Sequence, residues 1–141
     1  MSQATDCIFC QIVAGEIPSF QVYQDAATLA FMDINPFNPG HCLVIPKAHA
    51  ADIFAIAPDD IAAVARTAKI VAGAVRAALR PAGINIVQAN GPAAGQTVHH
   101  FHCHVFPRAE GDGAAMNWGM TPGDMAEIET LASRIRDRIE P

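Results

Sequence analysis

Four of the six histidines fall at positions 99, 100, 102 and 104. In an extended strand successive side chains alternate faces, so His100, His102 and His104 would share one face at steps of about 6.6 Å. Phe101, Cys103 and Val105 would then occupy the other face and belong to a core. Imidazole packs poorly but serves as a neutral-pH acid, base, nucleophile and metal ligand. Three readings compete: a solvated histidine-rich strand, a purely metal-binding strand, and a catalytic face that handles phosphate. The apolar alternate residues argue against the first. The upstream loop Asn90-Gly91-Pro92-Ala93-Ala94-Gly95-Gln96-Thr97 favours the third, because its amides and the Thr97 hydroxyl could be turned toward an anion. An imidazole that attacks phosphorus forms a phosphoramidate that water can hydrolyse. The loop and the other histidines would steady charge on the phosphoryl oxygens, and that scheme requires no catalytic metal.

The elements that must position these groups follow from local pattern. Asp6 can cap a short helix over 7–14 that Gly15 stops. Apolar-rich stretches at 21–24 and 28–33, separated by Asp25-Ala26-Ala27, read as a hairpin. The segment from Asn35 to Gly40 is turn chemistry, and 41–45 reads as a buried strand closed by Pro46. Pro58, Asp59 and Asp60 open a long helix whose stripe is Ile61, Val64, Ala68, Val71, Val75 and Leu79, ended by Pro81 and Gly83. Residues 84–90 read as a strand, 91–95 as a loop, and 98–106 as a strand that ends at Pro107. A last helix starts at Thr121-Pro122-Gly123-Asp124, with Met125, Ile128, Leu131, Ile135 and Ile139 as its stripe. With short links within each strand pair, the expected class is α+β with an antiparallel sheet.

The 141 residues suit a single domain over 1–141, and 51% hydrophobic content excludes disorder. A net charge of −5 without a basic cluster argues against nucleic-acid binding. No apolar run reaches the roughly 20 residues that span a bilayer. The N-terminal residues through Asp6 show no signal-type pattern, so a soluble cytoplasmic protein is expected. Four cysteines do not suggest a secreted disulfide framework. Cys7 and Cys10 form Cys-x-x-Cys without the βαβ context of a redox motif; Cys42 and Cys103, among apolar neighbours, read as core thiols.

The run from His100 to Phe106 has the His-φ-His-φ-His-φ-φ pattern of the histidine triad superfamily. The flanking Gly95-Gln96-Thr97-Val98 and Pro107-Arg108 resemble the same family. So do Asp33-Ile34-Asn35-Pro36 and the stretch from Gly40 through His49. Cys7-Ile8-Phe9-Cys10 with Gly15-Glu16-Ile17-Pro18 resembles its bacterial zinc-containing nucleotide-binding branch, and the similarity extends over nearly the whole chain. The resemblance implies a five-stranded antiparallel sheet, one long central helix, and short N-terminal and C-terminal helices. It implies a homodimer joined edge to edge, with Trp118 and the segment after Arg108 as candidates to cross toward the partner.

For the site, the resemblance implies that His102 is the nucleophile that forms a nucleotidyl-histidine intermediate. His104 and His41 would surround the α-phosphate, with His100 completing the triad. Gln96 and Thr97 would contact phosphate and Asn90 would lie beside it. Asp33 would hold the ribose, where a plain turn cap is the competing role. Ile8, Phe9, Ile12, Phe31 and Ile34 would wall a purine base, with simple core packing as the alternative for Ile12 and Phe31. Cys7, Cys10, His49 and His100 would hold a structural zinc, as in zinc-bearing members and related galactose-1-phosphate uridylyltransferases. His99 departs from the pattern and reads as incidental. Thr97 replaces the serine common in that branch but keeps its hydroxyl. The implied activity is a purine nucleoside phosphoramidase releasing a nucleoside monophosphate. The loop over 90–97 also resembles the fragile-histidine-triad branch, which leaves dinucleoside polyphosphate hydrolysis open. A non-enzymatic nucleotide-binding regulator is the third reading.

Overall fold

The computed structural model describes residues 6–114 and 120–140; Trp118, the N-terminal residues 1–5 and Pro141 lie outside them. Cys7, not Asp6, caps α1 (Ile8–Val13), its side chain accepting the Cys10 amide. Strands β1 (Gln21–Gln24) and β2 (Thr28–Met32) form the expected hairpin, followed by β3 (Cys42–Pro46). Asp25 organises the hairpin turn: its Oδ1 accepts from the amides of Ala27 and Thr28 and from the Thr28 hydroxyl. Helix α2 (Pro58–Leu79) starts on a first-turn proline beside Asp59 and Asp60 and ends at Arg80 in the left-handed region. Strand β4 (Gly83–Gln88), a single 3₁₀ turn at Pro92–Ala94, β5 (Cys103–Arg108) and α3 (Met125–Arg136) complete the order.

All neighbouring strands are antiparallel, in the order β1-β2-β3-β5-β4. Alternation along β2 and β3 divides their side chains between two apolar layers. Ala30, Cys42 and Val44 face α2, where Val64, Ala68, Val71 and Val75 of the expected stripe are buried together with Phe101, Cys103 and Val105, while Leu79 at the end of that stripe is exposed. Leu29, Phe31, Leu43 and Ile45 face the other way, against Phe9 of α1 and Ile12. His104 stands opposite Leu43 across β3 and β5, and therefore on this α1 side of the sheet.

The histidine segment departs from the expected strand. Pairing begins only at Cys103 and runs through Pro107 to Arg108, so His100 and His102 precede β5 rather than belong to it. The Phe101 amide bonds instead to the Ala50 carbonyl outside the sheet. The side chains nonetheless keep alternating: Phe101 packs in the same layer as Cys103 and Val105. Strand β4 likewise stops at Gln88, because Asn90 is used in a side-chain cluster described below. The apolar stripe of α3 is exposed throughout, from Met125 to Ile135. Among the described residues no helix is long and apolar enough to cross a membrane.

Candidate active site

Burial makes the central histidines neutral bases. His102 is 5% exposed, and burial holds its pKa below the ordinary imidazole value. Burial, with the neighbouring His102 and His41 rings, pushes His104 down to about 4. His41 is also lowered by burial, against the opposing pull of Asp33. At pH 7 all three rings therefore carry a lone pair.

Which nitrogen carries it follows from the partners. A carbonyl only accepts, so His102 donates Nδ1–H to the His100 carbonyl at 2.7 Å. Its Nε2 is left with the lone pair. The His102 ring lies 5.0 Å from that of His104 and 5.3 Å from Phe9, both edge-on. His104 stacks on Phe106 with rings 4.9 Å apart and inclined by only 5°, and its Nδ1 is 2.9 Å from His41 Nε2. His41 Nδ1 accepts from the Phe37 amide at 3.1 Å. Asp33 serves two purposes. Its Oδ1 caps the turn by accepting from the Asn35 amide at 2.8 Å, and its Oδ2 lies 3.5 Å from His41 Nε2.

The buried His100 ring packs edge-on against Phe9 at 5.9 Å, on the same side as His102, but its nitrogens are committed elsewhere. Its Nε2 donates to the Pro46 carbonyl at 2.8 Å and its Nδ1 faces Cys7 and Cys10 at 3.4 and 3.5 Å. His49 Nδ1 is 3.2 Å from His100 Nδ1 and 3.3 Å from Cys10 Sγ. A tetrahedral zinc with bonds of about 2.0–2.3 Å sets its ligand atoms about 3.3–3.8 Å apart. The four residues fit such an ion, and the Pro46 bond is the outer contact that fixes a ligating ring with its lone pair inward. The three rings thus lie on one side of the sheet as expected, although only His104 belongs to β5. His100 contacts His102 through its carbonyl, while its ring nitrogens serve Pro46 and the cysteine cluster.

Asp33, His41 and His104 also bring three ligand atoms within 4.8 Å. Here the donor pattern opposes a metal. The Phe37 amide can only donate, so the hydrogen of neutral His41 sits on Nε2, the atom that a metal would need bare.

The loop after β4 is a closed unit rather than an open amide cradle. The amides of Ala94, Gly95 and Gln96 bond within the loop, and that of Gly91 goes to Gln96 Oε1. Gln96 is buried, its Nε2 donating to the carbonyls of Ala51 and Val98, so its amide is fully occupied without phosphate. Asn90 pairs with Gln88 and accepts the Ile53 amide. These two amides bolt the loop to the segment that follows His49. Thr97 at its end is exposed.

Of the apolar residues, Phe9 and Phe31 are buried edge-to-face at 5.5 Å and Ile12 is half-buried beside them, whereas Ile8 and Ile34 are exposed. His99 is exposed, away from the cluster. The contributions of the Phe37 amide, the Pro46 carbonyl and the Ala51 carbonyl escaped the sequence reading, since a main-chain group has no side-chain signature.

The HIT domain model matches residues 14–111. The chain belongs to the histidine triad family. Among other family members, a crystal structure from Bacillus anthracis superposes with a TM-score of 0.90 at 40% identity, covering 98% of this chain and 100% of that one. Adenosine 5'-monophosphoramidase hnt1 of Schizosaccharomyces pombe is 37% identical over 135 residues, 95% of this chain and 98% of its own. A zinc-bound histidine triad protein of Mycobacterium smegmatis matches at 37% identity with a TM-score of 0.73, covering 94% of each chain.

Proposed function

We propose that this histidine triad protein hydrolyses nucleotides at the α-phosphate through a nucleotidyl-His102 intermediate, in the manner of a purine nucleoside phosphoramidase. The observation that carries this reading is the 2.7 Å bond from His102 Nδ1 to the His100 carbonyl, which leaves a neutral, buried Nε2 with its lone pair available. That pair forms the N–P bond, and the leaving group departs with the P–X electrons and takes up a proton. The His100 carbonyl steadies the positive charge that develops on the ring. Water then attacks phosphorus and the N–P electrons return to Nε2. In sum, one water is consumed and a nucleoside monophosphate is released with the protonated leaving group.

In this reading His104, His41 and Thr97 face the phosphate, and Asp33 holds the ribose beside its turn. Asn90 and Gln96 keep the loop in place rather than touch the nucleotide. Phe9, Phe31 and Ile12, with Ile8 and Ile34 at the rim, wall the purine. Cys7, Cys10, His49 and His100 hold a structural zinc, which would fasten α1 and the base wall to the sheet; the zinc-bound relative supports this assignment. The working form is taken to be a cytoplasmic homodimer.

The test is chromatographic hydrolysis of adenosine 5′-phosphoramidate and diadenosine tetraphosphate in parallel. AMP release from the phosphoramidate that disappears in His102→Ala supports the proposal. Preference for the dinucleotide would make the protein a polyphosphate hydrolase. Binding of AMP without turnover of either compound would make it a regulator.

A further inference from the structure

The turn before β3 does more than connect two strands. Asn38 is its anchor: Nδ2 donates to the Pro107 carbonyl and to Asp112 Oδ2, both at 2.9 Å, and its own carbonyl accepts the His41 amide. Asp112 is itself gripped by Arg108, with Nε at 2.7 Å and Nη2 at 2.9 Å. This network ties the turn to the end of β5, the strand that carries His104. Held in that way, the turn aims one hydrogen, that of the Phe37 amide, at His41 Nδ1.

The consequences propagate by elimination. A backbone amide has no acceptor capacity, so His41 Nδ1 accepts and the His41 hydrogen lies on Nε2. The 2.9 Å approach of His41 Nε2 to His104 Nδ1 must contain one hydrogen, and it is this one. His104 Nδ1 therefore accepts too, and the hydrogen of neutral His104 lies on Nε2.

We infer that the Phe37 amide, held by Asn38, is a positioning group that fixes the tautomer of His104 through His41 and makes His104 Nε2–H a neutral hydrogen-bond donor to phosphate. This rests on the proposed nucleotide chemistry for its use, but not for its existence. Such a donor steadies phosphoryl oxygens without acting as a general acid. Releasing its hydrogen would leave His104 an imidazolate, and His41 could replace that hydrogen only by becoming an imidazolate itself. Burial, which keeps both rings uncharged near neutral pH, agrees with this role.

The experiment is long-range ¹⁵N–¹H correlation on the full, metal-loaded chain labelled in histidine, near pH 7 and without nucleotide. Spectra of His41→Asn and His104→Asn supply the assignments. The expected wild-type result is a single Nε2–H tautomer at both rings. Phe37→Pro deletes the amide hydrogen and should give a mixed tautomer at His41 and His104, whereas Phe37→Ala, which keeps it, should match wild type. An Nδ1–H signature at His104 in the wild type overturns the inference, as does a Phe37→Pro spectrum identical to that of Phe37→Ala. Should Phe37→Pro not fold, the wild-type spectrum still decides. No substrate enters the measurement, so its outcome is separate from that of the hydrolysis assay: a correct tautomer with no turnover would sink the enzymatic reading alone.

Discussion

His102 is oriented by the main chain of His100, whose carbonyl receives the His102 Nδ1–H at 2.7 Å while the His100 ring faces the cysteine cluster. One residue thus belongs to two centres, through different atoms. Whatever holds the His100 ring also holds the carbonyl that aims His102.

Replacement of His100 by Ala should therefore damage both centres. Zinc content, read by atomic absorption on the purified protein, should fall from one ion per chain to well below half. Turnover of adenosine phosphoramidate should fall by about 10–100-fold, the usual effect of losing a contact that orients a working group. Full activity together with lost zinc would show that the two centres are independent.

His102→Ala should reduce kcat by at least ~10³-fold, since a missing nucleophile leaves only the contribution of binding and positioning. AMP affinity by calorimetry should change by less than about tenfold, because the proposed base wall and ribose carboxylate are untouched. A parallel collapse of affinity would mean that the ring acts mainly in binding.

Thiol titration should distinguish two classes of cysteine. Burial pushes Cys103 up to about 11 and also raises Cys42, so neither presents a thiolate at pH 7. Removal of metal by a chelator should expose Cys7 and Cys10 to a disulfide reagent, and denaturant should then expose the other two. Two reactive thiols in the untreated protein would contradict the structural zinc.

Stability should depend on pH in a defined direction. His104 has an ordinary value of 6.5 that falls to about 4 in the folded chain, so the unfolded chain binds more protons between those values. Its contribution is fully present above pH 6.5 and is lost as pH falls toward 4. The urea midpoint should drop between pH 7 and pH 5, and His104→Asn should drop less steeply. An identical slope in the two proteins would refute the assignment.

Gln96→Ala should cost about 1–3 kcal/mol in chemical denaturation, because it leaves the Gly91 amide and the Ala51 carbonyl without their partner. Gln96→Glu should be worse, since a carboxylate oxygen would face the carbonyls of Ala51 and Val98. A neutral effect of either change would show that the loop is held by its internal amide bonds alone.

Much of the architecture was legible because it rests on periodicity. The Val64, Ala68, Val71 and Val75 stripe of α2 is a burial pattern written directly in residue type, and the apolar-rich stretches at 21–24 and 28–33 marked the hairpin. The Cys7, Cys10, His49 and His100 cluster was legible only through family resemblance, since His49 lies far from the others in sequence and chemistry alone cannot pair them. The start of β5 was misplaced because side-chain alternation continues through Phe101 while the backbone bonds do not. The bonding of Gln96 and Asn90 was not legible for a related reason. An amide side chain suits phosphate and a carbonyl equally well, and only the proximity of Ala51 and Ile53 decides between them.

The compactness of the histidine segment has a bearing on how such chains can diverge. Between positions 100 and 104 lie an inward ring, an orienting carbonyl, a bare nitrogen and a hydrogen-bond donor, each committed to a different neighbour. Substitutions can adjust these one at a time. Insertion or deletion of a single residue there would displace all of them together, so the spacing of this stretch should be inherited rigidly while loops elsewhere change length.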